Sequence, residues 1–92
     1  MKINKAIQEF VDSAIASGYV SKEDRYYLLN RVLYLVGEES FESSKEVEQP
    51  SLLEAMANLV EAAVEAGKIE NDSEERDWLE QELMNLVIPK PS

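Results

Sequence analysis

Residues 3–18 read INKAIQEFVDSAIASG, and residues 52–67, 49 positions further on, read LLEAMANLVEAAVEAG. In both stretches apolar side chains recur at steps of three and four, the spacing that places them on one face of an α-helix. Each stretch ends in a glycine, the residue that most readily adopts the left-handed conformation that terminates a helix. The apolar residues are Ile3, Ile7, Phe10, Val11, Ala14 and Ile15 in the first stretch and Leu52, Met56, Leu59, Val60, Ala63 and Val64 in the second.

Two further helical patterns lie downstream of these stretches. Gly37 closes one of them and Pro89 closes the other, because proline cannot donate the next helical hydrogen bond. We expect four helices, near residues 3–17, 22–36, 51–66 and 73–87, and no strand. Their apolar faces are Leu28, Leu29, Val32, Leu35 and Val36 in the second helix and Leu79, Leu83, Leu86 and Val87 in the fourth.

The second half of the chain repeats the first. After a two-residue insertion the offset becomes 51, so that Arg25 matches Arg76 and Tyr27 matches Trp78. Each half is then a helical hairpin with one apolar side, which is insufficient alone and can be buried against the other half. The sequence predicts an all-α fold in which two hairpins pack as a small four-helix arrangement. We divide the single module, residues 1–92, into hairpin one (1–37), an acidic linker (38–50), hairpin two (51–88) and an extended proline-rich exit (89–92).

The net charge of −10 limits the classes of partner. Residues 1–37 carry five Lys/Arg and four Asp/Glu, whereas residues 38–92 carry four and fifteen. Nucleic acids and anionic membranes select clustered cations, so neither is an expected partner. No apolar run approaches the length of a membrane span, and the first residues do not form the apolar core of a secretory signal. We therefore expect a cytoplasmic protein.

The chain contains no histidine and no cysteine. Disulfides, thiolate metal sites and every reaction that needs either side chain are thereby excluded. The densest acidic cluster, residues 70–75, lacks the glycine of a calcium loop and is better explained as acids at the positive end of a helix dipole. We expect no metal, no cofactor and no catalytic residue.

Arg25, Tyr27, Asn30 and Arg31 are the candidate partner-facing residues. Tyr27 and Arg31 lie one helical turn apart, and arginines and aromatics at this spacing can form a surface for another protein. In the alternative interpretation, Tyr27 packs at the edge of the bundle and Arg25 pairs with a nearby acid.

The chain resembles the N-terminal helical region of bacterial class II galactose-1-phosphate uridylyltransferases. The resemblance rests on Asp24-Arg25, Tyr27 and Asn30-Arg31-Val32-Leu33, closed by Gly37. It continues through Gly67-Lys68-Ile69-Glu70 and the final segment from Glu82 to Ser92, and so covers nearly the whole chain.

This resemblance implies a parent enzyme that moves a uridylyl group between glucose 1-phosphate and galactose 1-phosphate through a covalent histidine intermediate. The family's catalytic histidine lies well downstream, and this chain has no position onto which it can be carried over. The resemblance thus implies a non-catalytic N-terminal module, a piece of a longer polypeptide. Its expected partners are the catalytic domain of its own parent chain and, for a homodimer, a second copy. The alternative is a stand-alone helical protein-interaction module.

Overall fold

Four α-helices, joined in pairs by short loops, make up the part of the chain that the computed structural model describes, residues 3–38 and 51–87. Within those two ranges no strand occurs, and the predicted all-α class is confirmed. The helices are α1 (Ile3–Ala16), α2 (Arg25–Val36), α3 (Leu52–Glu65) and α4 (Ser73–Val87).

The helix ends follow from local side chains. The Ser51 hydroxyl oxygen accepts a hydrogen bond from the Glu54 backbone N–H at 3.3 Å, which caps α3. The Asp72 carboxylate does the same for the Glu75 N–H of α4 at 2.8 Å. One predicted boundary differs, because the helix expected near residues 22–36 opens with a 3-10 turn at Lys22–Asp24. There the Asp24 N–H bonds back to the Ser21 carbonyl at 3.0 Å, a tighter closure than that of an α-helix.

The helices differ in how much of their surface is buried. α1 packs most extensively on α3, while α2 packs on α1 and α4 packs on α3; α2 and α4 also contact each other. Eight residues of α1 and six of α3 are buried, against four of α2 and three of α4. α1 and α3 are therefore the central pair, and α2 and α4 carry most of the exposed helical surface.

The predicted repeat is visible in the structure down to single hydrogen bonds. The N–H of Tyr19 bonds to the Ala14 carbonyl at 3.1 Å, and the matching N–H of Lys68 bonds to the Ala63 carbonyl at 2.9 Å. The two hairpins thus turn in the same way. The core follows the same correspondence, since both members of each matched pair are buried: Ala6/Ala55, Ile7/Met56, Phe10/Leu59, Val11/Val60, Ala14/Ala63, Leu28/Leu79, Val32/Leu83 and Val36/Val87.

The acidic linker (38–50) and the proline-rich exit (89–92) lie outside the described residues, apart from Glu38. The division of the chain that uses them stays a prediction. None of the helices within residues 3–38 and 51–87 is long and apolar enough to cross a membrane.

Replacing Gly67 with valine is expected to lower the free energy of unfolding by ~1 kcal/mol or more, because a β-branched residue is strained in the left-handed conformation. Gly67 has a φ of +74°, and a Cβ placed there would meet no atom within 4 Å, so the cost comes from the backbone alone. Urea denaturation of the variant measures the change. Gly67→Asn is the matched control, since asparagine tolerates this conformation better; equal losses for the two variants would contradict the explanation.

Candidate functional site: the outward face of α2

The four candidate partner-facing residues separate into two groups in the structure. Arg25 is half-buried, and its guanidinium pairs with the Asp12 carboxylate of α1. This ion pair links the start of α2 to the last turns of α1, near the loop of hairpin one. Tyr27, Asn30 and Arg31 instead lie on the solvent side of α2.

The ion pair of Arg25 has a counterpart in hairpin two, where Arg76 pairs with Glu61. Arg76 matches Arg25 at the offset of 51, and Glu61 matches Asp12 at the offset of 49. Arg76 also donates to the Asn71 side-chain oxygen at 3.0 Å. The two arginines therefore hold equivalent places inside their hairpins.

The exposed side chains of α2 form one continuous stripe. Tyr27, Asn30, Arg31 and Tyr34 follow the spacing of three and four that places residues on one side of a helix, and Tyr26 lies beside Asn30 one turn away. Tyr26, Tyr27 and Tyr34 are 76%, 65% and 82% exposed. We call these five residues the α2 face. The opposite side of the helix carries Leu28, Leu29, Val32 and Val36, all buried.

Arg31 is the charged member of the α2 face. No ion pair joins Arg31 to another residue within 3–38 or 51–87, whereas Arg25, Lys68 and Arg76 are each paired. An exposed guanidinium beside tyrosine rings can donate two hydrogen bonds to a carboxylate and can stack on an aromatic ring. Tyrosine adds a large apolar contact area and a hydroxyl at its tip. The α2 face thus combines one exposed guanidinium with three exposed tyrosine side chains.

A groove borders the α2 face where the loop of hairpin one meets the end of α4. It encloses about 360 Å³, and Tyr19 and Tyr27 belong to its walls. Leu86 of α4 lies on the other side of it. Its polar side chains are Ser21 and Asp24, and the Ser21 hydroxyl donates to the Asp24 carboxylate at 3.1 Å. The remaining lining residues are Val20 and Leu28.

The lining residues of the groove include no histidine and no cysteine. Activation of a serine requires a neighbouring general base held in place by a third group, and no histidine exists in this chain. In the described part of the chain, no three acidic side chains are grouped so as to hold a metal ion. The groove and the α2 face offer contact area, hydrogen-bonding groups and one free cation.

The sequence alone did not reveal the groove. Its walls come from the loop of hairpin one, α2 and α4, and their approach depends on how the hairpins pack. The exposed Tyr19 carried a weak signal, since an aromatic residue directly after a glycine cap is outside the helical apolar pattern.

Comparisons with known proteins identify relatives along nearly the whole chain. Galactose-1-phosphate uridylyltransferase 1 of Streptococcus pneumoniae is 40% identical over 86 residues, which is 94% of this chain and 17% of that protein. The galactose-1-phosphate uridylyltransferase of Lactiplantibacillus plantarum is 40% identical over 88 residues, 95% of this chain and 18% of that protein. That of Lactobacillus helveticus is 38% identical over 88 residues.

The chain therefore spans less than a fifth of the length of the curated relatives it matches. No family model matches the sequence, and no solved structure matches it. The resemblance to the N-terminal region of galactose-1-phosphate uridylyltransferases is confirmed by these relatives.

Replacing Arg31 and Tyr34 together with alanine is expected to change the free energy of unfolding by no more than about 0.5 kcal/mol, because both side chains face water and alanine is a good helix former. Replacing Arg25 with alanine is expected to cost about 1 kcal/mol, because Asp12 loses its half-buried partner. Thermal denaturation followed by circular dichroism compares the two variants. A larger loss for the surface variant than for Arg25→Ala would show that the α2 face supports the fold.

Proposed function

We propose that this chain, whose sequence resembles the N-terminal helical region of galactose-1-phosphate uridylyltransferases, serves as a non-catalytic structural module of such an enzyme, with a packing or dimerisation role. The observation that carries the proposal is the match to relatives over 94% of this chain and only 17% of theirs. In this interpretation the parent enzyme transfers a uridylyl group between glucose 1-phosphate and galactose 1-phosphate in galactose metabolism.

The module contributes no reacting group to this transfer. A two-step transfer through a covalent intermediate requires a nucleophile, which the resemblance implies to be a histidine, and this chain has none. The reaction therefore takes place on the remaining part of the polypeptide. The role left to the module is to pack on that part or to help two enzyme copies associate.

The partner that this role requires is the catalytic domain of the same parent chain. The exposed helical surface concentrated on α2 and α4 supports such a partnership, because the buried residues lie mainly on α1 and α3. We place the parent enzyme in the cytoplasm, where a phosphorylated sugar substrate is retained.

The α2 face supports one other candidate function, that of a stand-alone helical interaction module. Arg31 and the three exposed tyrosines would then bind a separate protein. The gene distinguishes the two functions, because a stop codon directly after Ser92 would leave no catalytic domain for the module to join.

The test compares the polypeptide encoded by the natural gene with residues 1–92 alone, assayed for conversion of UDP-glucose and galactose 1-phosphate into UDP-galactose and glucose 1-phosphate. We expect activity in the natural polypeptide and none in residues 1–92. A third sample lacks residues 1–87, and we expect it to be less stable on heating than the natural polypeptide. A gene that ends at Ser92, or a folded natural polypeptide without this activity, would contradict the proposal.

A further inference from the structure

We infer that the α2 face, together with the groove beside it, is the surface on which the remainder of the parent polypeptide packs, and that the outward side of α4 stays in water. The inference rests on the proposed function and adds to it which side of the module is covered. It follows from a position-by-position comparison of the two hairpins.

The two hairpins provide an internal control for what a solvent-exposed helix of this fold requires. Eight matched pairs of core residues are buried in both hairpins, and the glycine turns and arginine–carboxylate pairs also correspond. An exception in the core is Leu29, which is buried while its counterpart Glu80 is exposed. Their outward positions are not. At the offset of 51, Tyr26 matches Asp77, Asn30 matches Gln81, Arg31 matches Glu82 and Tyr34 matches Asn85; at the offset of 49, Tyr19 matches Lys68. Glu82 is half-buried, and the other three α4 residues are exposed.

The outward residues of α2 and α4 differ consistently in chemical type. Where α4 carries acids and amides, α2 carries tyrosines, and the charge at one matched position is reversed from glutamate to arginine. The α4 composition is that of a surface that remains hydrated. Tyrosine and arginine are instead the residues enriched where protein surfaces meet, and acidic residues are depleted there. The fold does not require aromatic residues at these outward positions, because hairpin two has polar residues at most of them.

One exposed aromatic position is shared by the two hairpins. Tyr27 is 65% exposed and its counterpart Trp78 is 44% exposed. An aromatic at this place therefore belongs to the hairpin itself. The residues specific to the α2 face are Tyr26, Arg31 and Tyr34, with Tyr19 in the groove wall.

The position of the end of α4 favours one occupant. α4 ends at Val87, and Leu86 lines the groove that borders the α2 face. In the proposed parent enzyme the catalytic domain follows this helix in the same polypeptide. A covalently attached domain is present at a high effective concentration, which favours its binding to a surface near the point of attachment.

The chemistry of the α2 face defines what the covering surface must offer. Arg31 requires a carboxylate, and the tyrosine rings require apolar area with hydrogen-bond partners at its edge. A second copy of the module could supply carboxylates from its α4. However, each module carries a net charge of −10, and two such modules repel each other. The remainder of the parent polypeptide is therefore the favoured occupant.

Hydroxyl-radical footprinting of tyrosine and tryptophan tests the inference in the active natural polypeptide, with residues 1–92 as the reference. We expect the oxidation rates of Tyr26 and Tyr34 to fall about tenfold in the natural polypeptide, because aromatic side chains at an interface core lose their contact with solvent. The oxidation rate of Trp78 on α4 should change by less than about twofold, since its helix face stays hydrated.

The other outcomes overturn the inference and leave the proposed function separately testable. Protection of Trp78 without protection of Tyr26 and Tyr34 would place the interface on α4. Protection of neither would show that the module does not pack through these faces. Protection of Tyr26 and Tyr34 in residues 1–92 alone, rising with protein concentration, would identify a second copy as the occupant. In all three cases the activity of the natural polypeptide would still support the proposed function.

A matched pair of variants checks the same surface by exchanging residues between the hairpins. The double substitution Arg31→Glu and Tyr34→Asn gives α2 the residues that α4 carries at the matched positions, whereas Asn85→Tyr alters an exposed position of α4 in the opposite direction. Proteolytic release of the module from the natural polypeptide should accelerate about tenfold in the first variant, as expected for loss of interface anchors, and not in the second. Equal acceleration in both variants would overturn the inference. The melting temperatures of the variants in residues 1–92 provide the control for folding.

Discussion

The packing of α1 on α3 is the interaction on which the rest of the structure depends. Ile7, Phe10 and Leu59 are fully buried between the hairpins, and each large side chain of this kind contributes about 1.5–3 kcal/mol when it leaves water. Four alanines, Ala6, Ala14, Ala55 and Ala63, are also fully buried on these two helices. Such small side chains allow two helices to approach closely, because the distance between helix axes is set by the residues at the contact. Neither hairpin can bury its apolar side without the other.

In this arrangement the inner helices, α1 and α3, differ from the outer helices, α2 and α4, in how much of their surface is buried. α1 buries eight of its fourteen residues and α3 six of its fourteen, so these two helices contribute more to the core than α2 and α4 do. α2 and α4 each bury a narrow stripe and hold their outward sides free. The ion pairs of Arg25 and Arg76 fix each outer helix to its inner neighbour at the same place. The result is a scaffold of two similar hairpins whose two outer faces differ in composition.

The helices, their glycine ends and the core were predictable from the sequence because each depends on spacing along one helix. Phe10 and Leu83 occupy apolar positions at helical steps, and both are fully buried. The pairing of Arg25 with Asp12 was open, because it depends on how two helices meet. The burial of Glu9, which is 3% exposed, could not be predicted for the same reason. A carboxylate in a helical sequence is normally expected to face solvent, and only the packing of the other helices shows that this one does not. The groove near Leu86 likewise exists only between elements distant in sequence.

The most direct measurement of the shared core is the helix content of each hairpin in isolation. Peptides of residues 1–37 and 51–88, followed by circular dichroism during heating, should each be weakly helical and melt without cooperativity, since short helices without tertiary contacts are marginal in water. Residues 1–92 should melt in one cooperative transition under the same conditions. A single hairpin that keeps its full helix content and unfolds cooperatively as a monomer would contradict the dependence of each half on the other.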